Sequence, residues 1–208
     1  MKLSQRLMLV FATMLLSPQL LLNEAAAAAA EETIDIVMQT DLGEIQLELY
    51  PASAPITVSN FLRYVDGEIF DGGEFYRVVT FENDNGSPKI EVIQGGLNEA
   101  PSPFSPIVHE TTEQTGISHT DGVLSMARGE VGTASSEFFI CIGDQPGLDY
   151  GQPRNADGQG FAAFGKATSG MDIVRAINAA GGDAVGGEGY TAGQVLLEPI
   201  KIIEVRRL

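Results

Sequence analysis

Residues 74–81 read EFYRVVTF, an arginine set among aromatic and β-branched residues whose types favour a strand. Strict alternation would put Arg77 on the face that carries Phe75 and Val79, where a guanidinium is costly to strip of water. Such an arginine is either one half of an ion pair on an edge strand or a rigid fork of donors aimed into an apolar cleft. Other reactive side chains offer less. His109 and His119 are ten residues apart without a cysteine or a paired histidine, so no metal site is expected. His109-Glu110 lacks the second histidine of the zinc-peptidase repeat. Ser135 and Ser136 lack the glycine-flanked elbow of a hydrolase nucleophile. The glycine-rich stretch at 181–193 has no Gly-Lys-Ser/Thr and does not join a strand to a helix, so it reads as an irregular connection.

The elements that must hold Arg77 are mostly strands. Residues 33–40 and 44–50 alternate apolar and polar around Asp41-Leu42-Gly43, the pattern of a hairpin with one buried face. Val58, Phe61, Leu62 and Val65 fall at helical spacing between Pro55 and Gly67, a proline and a glycine suited to a helix start and stop. Ile173, Val174 and Ile177 mark a second helix over 169–180. Short apolar runs at 75–81, 90–94, 122–127, 137–142, 161–164 and 200–205 complete the set. Many short strands with two helices predict a mainly β fold, a closed barrel of antiparallel strands with helices over its ends.

Composition restricts the setting. The chain has 208 residues, a net charge of −16, 24 glycines and no tryptophan. Lys2 and Arg6 precede an apolar run ending in small residues at 25–30, the pattern of a secretory signal peptide over 1–30. The alternative, an uncleaved anchor, meets an interruption at Ser17-Pro18-Gln19. Residues 31–208 then form one domain, with no stable membrane insertion once the leader is removed. Its acidity opposes nucleic acid and anionic lipid. Cys141 has no partner for a disulfide and lies in FFICI, where it reads as a small buried hydrophobe.

Six segments, in order, resemble the cyclophilins: FYRVV at 75–79, IQGG at 93–96, LSMAR at 124–128, SEFFI at 136–140, GLD at 147–149 and FAAFGK at 161–166. The resemblance spans about Ile34 to Val205. It implies an eight-stranded antiparallel β-barrel capped by two α-helices and peptidyl-prolyl cis-trans isomerase activity without metal or cofactor. Arg77 matches the family's catalytic arginine. Val92, Phe139, Leu148 and Phe161 would line the proline pocket, Gln94 would bind substrate backbone and orient Arg77, and Ala127 and Arg128 would offer main-chain groups.

Several departures stand out. Glu137 replaces the family's glutamine and could pair with Arg77, orient it or compete for its donors. Gly147 stands where eukaryotic members carry tryptophan, which would leave that wall missing. The link from Val79 to Val92 is long, and the family's pocket phenylalanine falls by count on Glu91. Two functions follow from the resemblance: an exported, monomeric, periplasmic isomerase acting on proline-containing and unfolded exported polypeptides, or a non-catalytic proline-peptide-binding or chaperone module on the same fold.

Overall fold

The computed structural model describes residues 33–98, 100–180 and 186–208. The expected signal peptide over 1–30 lies outside them. Eight strands run in the order β1 (Ile34–Thr40), β2 (Gly43–Leu49), β3 (Glu74–Val79), β4 (Val92–Gly96), β5 (Val123–Met126), β6 (Phe138–Cys141), β7 (Ala162–Ser169) and β8 (Val195–Arg207). Every pairing is antiparallel, and the sheet closes as β1-β2-β7-β5-β6-β4-β3-β8. Closure removes the unpaired edges that an open sheet of this size would present.

The hairpin of β1 and β2 shows how the alternating residues fill the barrel. Ile36 pairs with Leu47 and Met38 with Ile45, all four fully buried. The turn is held by the Thr40 hydroxyl, which donates to the Gly43 carbonyl at 2.8 Å and accepts from the Leu42 and Gly43 amides.

Helix α1 (Pro55–Asp66) begins on its proline and drives Val58, Phe61, Leu62 and Val65 into the barrel core, where Phe61 meets Phe70, Phe138 and Phe164. Its first amides are closed from a distance. The Glu110 carboxylate accepts from the Ile56 and Thr57 amides at 3.2 and 2.8 Å and from the Thr57 hydroxyl at 2.6 Å. A carboxylate suits the positive end of a helix, which gives Glu110 a structural task.

A single turn, α2 (Thr112–Thr115), adds to the two helices expected from sequence. Its capping box of Thr111 and Gln114 was present in the sequence as T-x-x-Q. Helix α3 (Met171–Ala179) packs Val174 and Ile177 on the core. Its Asn178 is buried and donates to the Val79 and Val92 carbonyls at 3.0 and 3.3 Å, next to the strands that carry the site.

Two apolar clusters result. The larger fills the barrel. The smaller lies on the outer face of the sheet and comprises Val79, Ile90, Val92, Phe139, Cys141 and Leu148, with Ala127 and Phe161 packed against it. Burial holds the Cys141 thiol well above its usual range, in keeping with its expected role as a small hydrophobe.

Candidate active site

Strand β3 does not alternate strictly. Its register shifts between Phe75 and Arg77: against β4 the extra residue Tyr76 makes a bulge, and against β8 the partner jumps from Ile200 to Val195. Phe75 and Val78 therefore enter the barrel core, while Val79 belongs to the outer cluster and Arg77 lines the cleft over it. The sequence expectation that Arg77 shares a face with Phe75 is thus corrected: the extra residue re-aims the guanidinium outward.

Ladder pairing then sets the site's geometry. Arg77 pairs with Gln94, Gln94 with Phe139, and Phe139 with Ser125, so four neighbouring strands contribute one residue each to a single row. Adjacent strands lie roughly 4.8 Å apart, which spaces a cation, an amide and a phenyl ring at fixed intervals.

Above this row opens a cleft of about 390 Å³, a size suited to a small ring and its flanking chain. All nine residues singled out from the sequence line it: Arg77, Val92, Gln94, Ala127, Arg128, Glu137, Phe139, Leu148 and Phe161. The apolar end is built by Phe139 and Phe161, whose rings meet edge to face at 5.4 Å, above fully buried Leu148.

Phe139 is backed by the His119 ring, stacked at 6.0 Å. His119 bonds Asp149 through Nδ1 at 2.6 Å and Ser125 Oγ through Nε2 at 2.9 Å. The chain of Asp, His and Ser has the connectivity of a hydrolase triad, yet Ser125 is fully buried and His119 nearly so. No substrate carbonyl reaches that hydroxyl, so the chain serves to fix the phenyl ring from behind. Among the described residues no group of three or more potential ligands could hold a metal ion.

The polar end is a relay. Arg77 Nη1 donates to Gln94 Oε1 at 2.8 Å, Gln94 Nε2 donates to the Tyr76 hydroxyl at 2.7 Å, and that hydroxyl donates to Glu137 Oε2 at 2.7 Å. Glu137 Oε1 accepts from the Leu97 amide and the Ser136 hydroxyl, both at 3.0 Å. Of the three options the sequence left for Glu137, the geometry is that of an orienting group acting through two intermediaries. Among the described residues no salt bridge joins it to Arg77.

Burial raises the Glu137 carboxyl above its usual range, against the hydrogen bonds it accepts. Burial and the nearby Glu137 charge hold the Tyr76 phenol protonated well past its usual range, so it stays a donor. Burial also lowers the Arg77 guanidinium, with nearby Tyr190 and Tyr76 opposing the shift. Gly96 makes room for this arrangement. A Cβ there would lie 2.7 Å from Glu137 Oε2, and its φ of +147° is one that side-chain-bearing residues rarely adopt.

The sequence expectation for Ala127 needs amendment at the walls. The Ala127 amide is consumed internally by the Glu137 carbonyl at 2.8 Å, which leaves its carbonyl as the group on offer. The Arg128 side chain staples loops together: it donates to the Gly160 carbonyl at 2.9 and 2.6 Å and clasps Asp157 at 2.8 and 2.9 Å. Nor is the wall beside Gly147 missing. A Cβ at Gly147 would overlap the Pro88 ring, so the long link 80–91 folds into the space. The same link supplies Ile90, buried and cleft-lining, where counting pointed to Glu91.

Sequence reasoning missed one further wall. Arg154 and Asp84 form a buried ion pair at 2.6 Å, their side chains 2% and 0% exposed. Arg154 also donates to the Pro88 carbonyl at 2.7 Å and to the Tyr190 hydroxyl. The Tyr190 ring neighbours two guanidinium groups, those of Arg77 and Arg154, each Cζ 5.5 Å from its centre. No local signal announces this wall, because its parts come from segments far apart in the chain.

Comparison with known proteins agrees with this architecture. The family model for the cyclophilin type peptidyl-prolyl cis-trans isomerase/CLD matches residues 35–207. A peptidyl-prolyl cis-trans isomerase of Acinetobacter baylyi is 32% identical over 175 residues, covering 82% of this chain and 84% of the relative. Peptidyl-prolyl cis-trans isomerase A of Dickeya dadantii is 31% identical over 185 residues, covering 86% and 89%. A crystal structure of a cyclophilin type isomerase from Cryptosporidium parvum shares the fold, with a TM-score of 0.63 at 17% identity, covering 85% of this chain and 98% of that one. A second structure of that protein, in the presence of the dipeptide Ala-Pro, gives 0.62 at 17% identity, covering 84% and 98%. With a closed eight-stranded barrel, an arginine and a phenyl ring in one ladder row, and a family match over nearly all the described residues, this chain belongs to the cyclophilin-type peptidyl-prolyl cis-trans isomerases.

Proposed function

We propose that this isomerase lowers the barrier to X-Pro rotation with the Arg77 guanidinium, acting as a monomer on exported polypeptides outside the cytoplasm. The chemistry asks for little. Amide resonance sets a barrier of ~18–20 kcal/mol, and no covalent bond breaks in crossing it. In the twisted transition state the prolyl nitrogen loses conjugation and gains a lone pair that accepts a hydrogen bond. A donor already in position strengthens only at that moment, so it lowers the barrier rather than tightening the ground state.

The observation that carries the reading is the Arg77–Gln94–Phe139 row, with a tethered cation at one end and an apolar ring seat at the other. A proline ring against Phe139 and Phe161 would leave its nitrogen toward the guanidinium, with Gln94 between them to hold substrate backbone. The Ala-Pro dipeptide present with the Cryptosporidium parvum cyclophilin supports proline-containing peptides as the ligand class. Export rests on the basic, apolar and small-residue order of residues 1–30 and on the acidity of the remainder. No helix among the described residues is long and apolar enough to cross a membrane.

Each of the three departures from the family pattern has a constructive role. Glu137 ends a relay, Pro88 occupies the space beside Gly147, and the long link builds a wall. Exchange between cis and trans signals of a prolyl peptide, measured by NMR, tests the isomerase. Wild type is expected to accelerate it, and Arg77→Ala to lower the rate by ~10²-fold or more, the scale of losing one transition-state donor. Binding without acceleration in the wild type would leave the module reading. Secretion of a tagged full-length chain, with cleavage near residue 30, checks export, and sedimentation checks the monomer.

A further inference from the structure

We infer that Gln194 is a positioning residue for Arg77, and that the long link 80–91 and the segment 186–194 form one clamp that fixes the plane of the guanidinium. This inference rests on the isomerase reading and adds a second anchor to Gln94. Gln194 Oε1 accepts from both Arg77 Nε at 3.0 Å and Nη2 at 2.6 Å. One oxygen chelating two donors on the same edge of a planar group removes its freedom to rotate about the side-chain axis.

The clamp is itself fixed. Gln194 is fully buried, and its Nε2 donates to the Asn83 carbonyl at 2.9 Å. That bond decides the amide's orientation: the nitrogen must face the carbonyl, so the oxygen must face Arg77. The Gln194 carbonyl accepts from the Val78 amide at 2.9 Å, which ties the residue to β3 one position from Arg77. Asn83 interlocks the two segments. Its Nδ2 donates to the Gly193 and Val78 carbonyls at 3.1 and 3.2 Å, and its Oδ1 accepts from the Thr80 amide at 2.8 Å.

A guanidinium has five N–H groups. Gln194 takes one from Nε and one from Nη2, and Gln94 takes one from Nη1. One N–H remains on each terminal nitrogen, which is the pair a substrate can use. Side chains on both flanks hold the cation while leaving its tip free.

Gln194→Met keeps the volume and removes the strong acceptor; Gln194→Glu keeps an acceptor. Two quantities are read on the folded protein: peptide cis–trans exchange with the affinity for the same peptide, and the water exchange of the Arg77 Nε proton in nitrogen-edited NMR spectra. In Gln194→Met we expect turnover to fall about tenfold, peptide affinity to stay within about twofold, and the Nε proton to exchange at least about tenfold faster. Gln194→Glu is expected to keep the slow Nε proton and to turn over within about threefold of wild type. If Gln194→Met fails to fold, Asn83→Ala, which cuts the interlock without touching Arg77, carries the same expectations.

Undiminished turnover with a slow Nε proton in Gln194→Met or Asn83→Ala would overturn the inference, as would rate and affinity falling together in either. An active wild type with a fast Nε proton would overturn the clamp alone. An inactive wild type with a slow one would overturn the isomerase reading, and the catalytic meaning of the clamp with it.

Discussion

Removing Asp84 is expected to destabilise the protein severely while leaving the catalytic row untouched. Its carboxylate is fully buried and makes four bonds: to Arg154 Nη1 at 2.6 Å and Nη2 at 2.8 Å, to the Gly86 amide at 2.9 Å and to the Ile90 amide at 2.8 Å. Asp84→Leu leaves the Arg154 guanidinium buried without a counter-charge, a condition that costs about 3–5 kcal/mol. For a domain of this size each kcal/mol moves the midpoint by roughly 2–4 °C, so thermal unfolding should begin ~6–20 °C earlier. The double variant Asp84→Leu, Arg154→Met removes both charges and is expected to regain more than half of that loss. Denaturant unfolding of the four proteins gives the coupling energy directly. A loss below about 1 kcal/mol in Asp84→Leu, or a double variant as unstable as the sum of the singles, would refute a buried, mutually dependent pair.

Acid should act partly through the same pair. Asp84 and Asp149 have carboxyls held below the usual range, burial opposing and the bonds to Arg154 and His119 outweighing it. A depressed folded pKa contributes stability that is present above the unfolded value, near 3.8, and lost as pH falls through the folded one. Midpoints measured against pH should fall below about pH 4, and Asp84→Leu should flatten that fall. Glu137→Gln replaces a charged acceptor at the end of the relay with a neutral amide. Peptide exchange is expected to slow about two- to fivefold with the fold intact, the difference between a charged and a neutral hydrogen bond. Equal turnover would remove the carboxylate from the orientation of Arg77. Gly147→Ala forces a methyl into the Pro88 ring and is expected to cost about 1–3 kcal/mol in denaturant unfolding. No loss would mean that the link moves aside freely.

What the sequence made legible follows from locality. The β1–β2 hairpin and the α1 stripe were readable because residues two or four apart decide which face is buried. All nine named residues line one cleft because four of them, Arg77, Val92, Gln94 and Phe139, lie on paired strands and the other five flank strand ends or sit in a short turn beside them, in motifs whose order the family resemblance supplied. The bulge in β3 was not readable. It depends on where β4 and β8 pair, and a one-residue change reverses every face after it. Gln194 was invisible for a related reason: 117 positions separate it from Arg77, and the stretch before it looked like a featureless glycine loop. The T-x-x-Q box of α2 is a local capping signal, but a single turn has no apolar periodicity to mark it as a helix. Gly147 misled because an absent side chain says nothing about what a distant segment places there.

The ladder row separates two kinds of precision. Cation, amide and ring sit on backbones laced to one another around a closed hoop, so their spacing is inherited from the repeat distance of pleated chain and tolerates no local drift. The surrounding enclosure is assembled from loops whose lengths are free to change. New peptide preferences can therefore be sculpted by rewriting residues 80–91, 150–160 and 186–194, so long as the Asn83 and Gln194 grip and the Asp84–Arg154 pair are left in place, without retuning the rotation chemistry beneath.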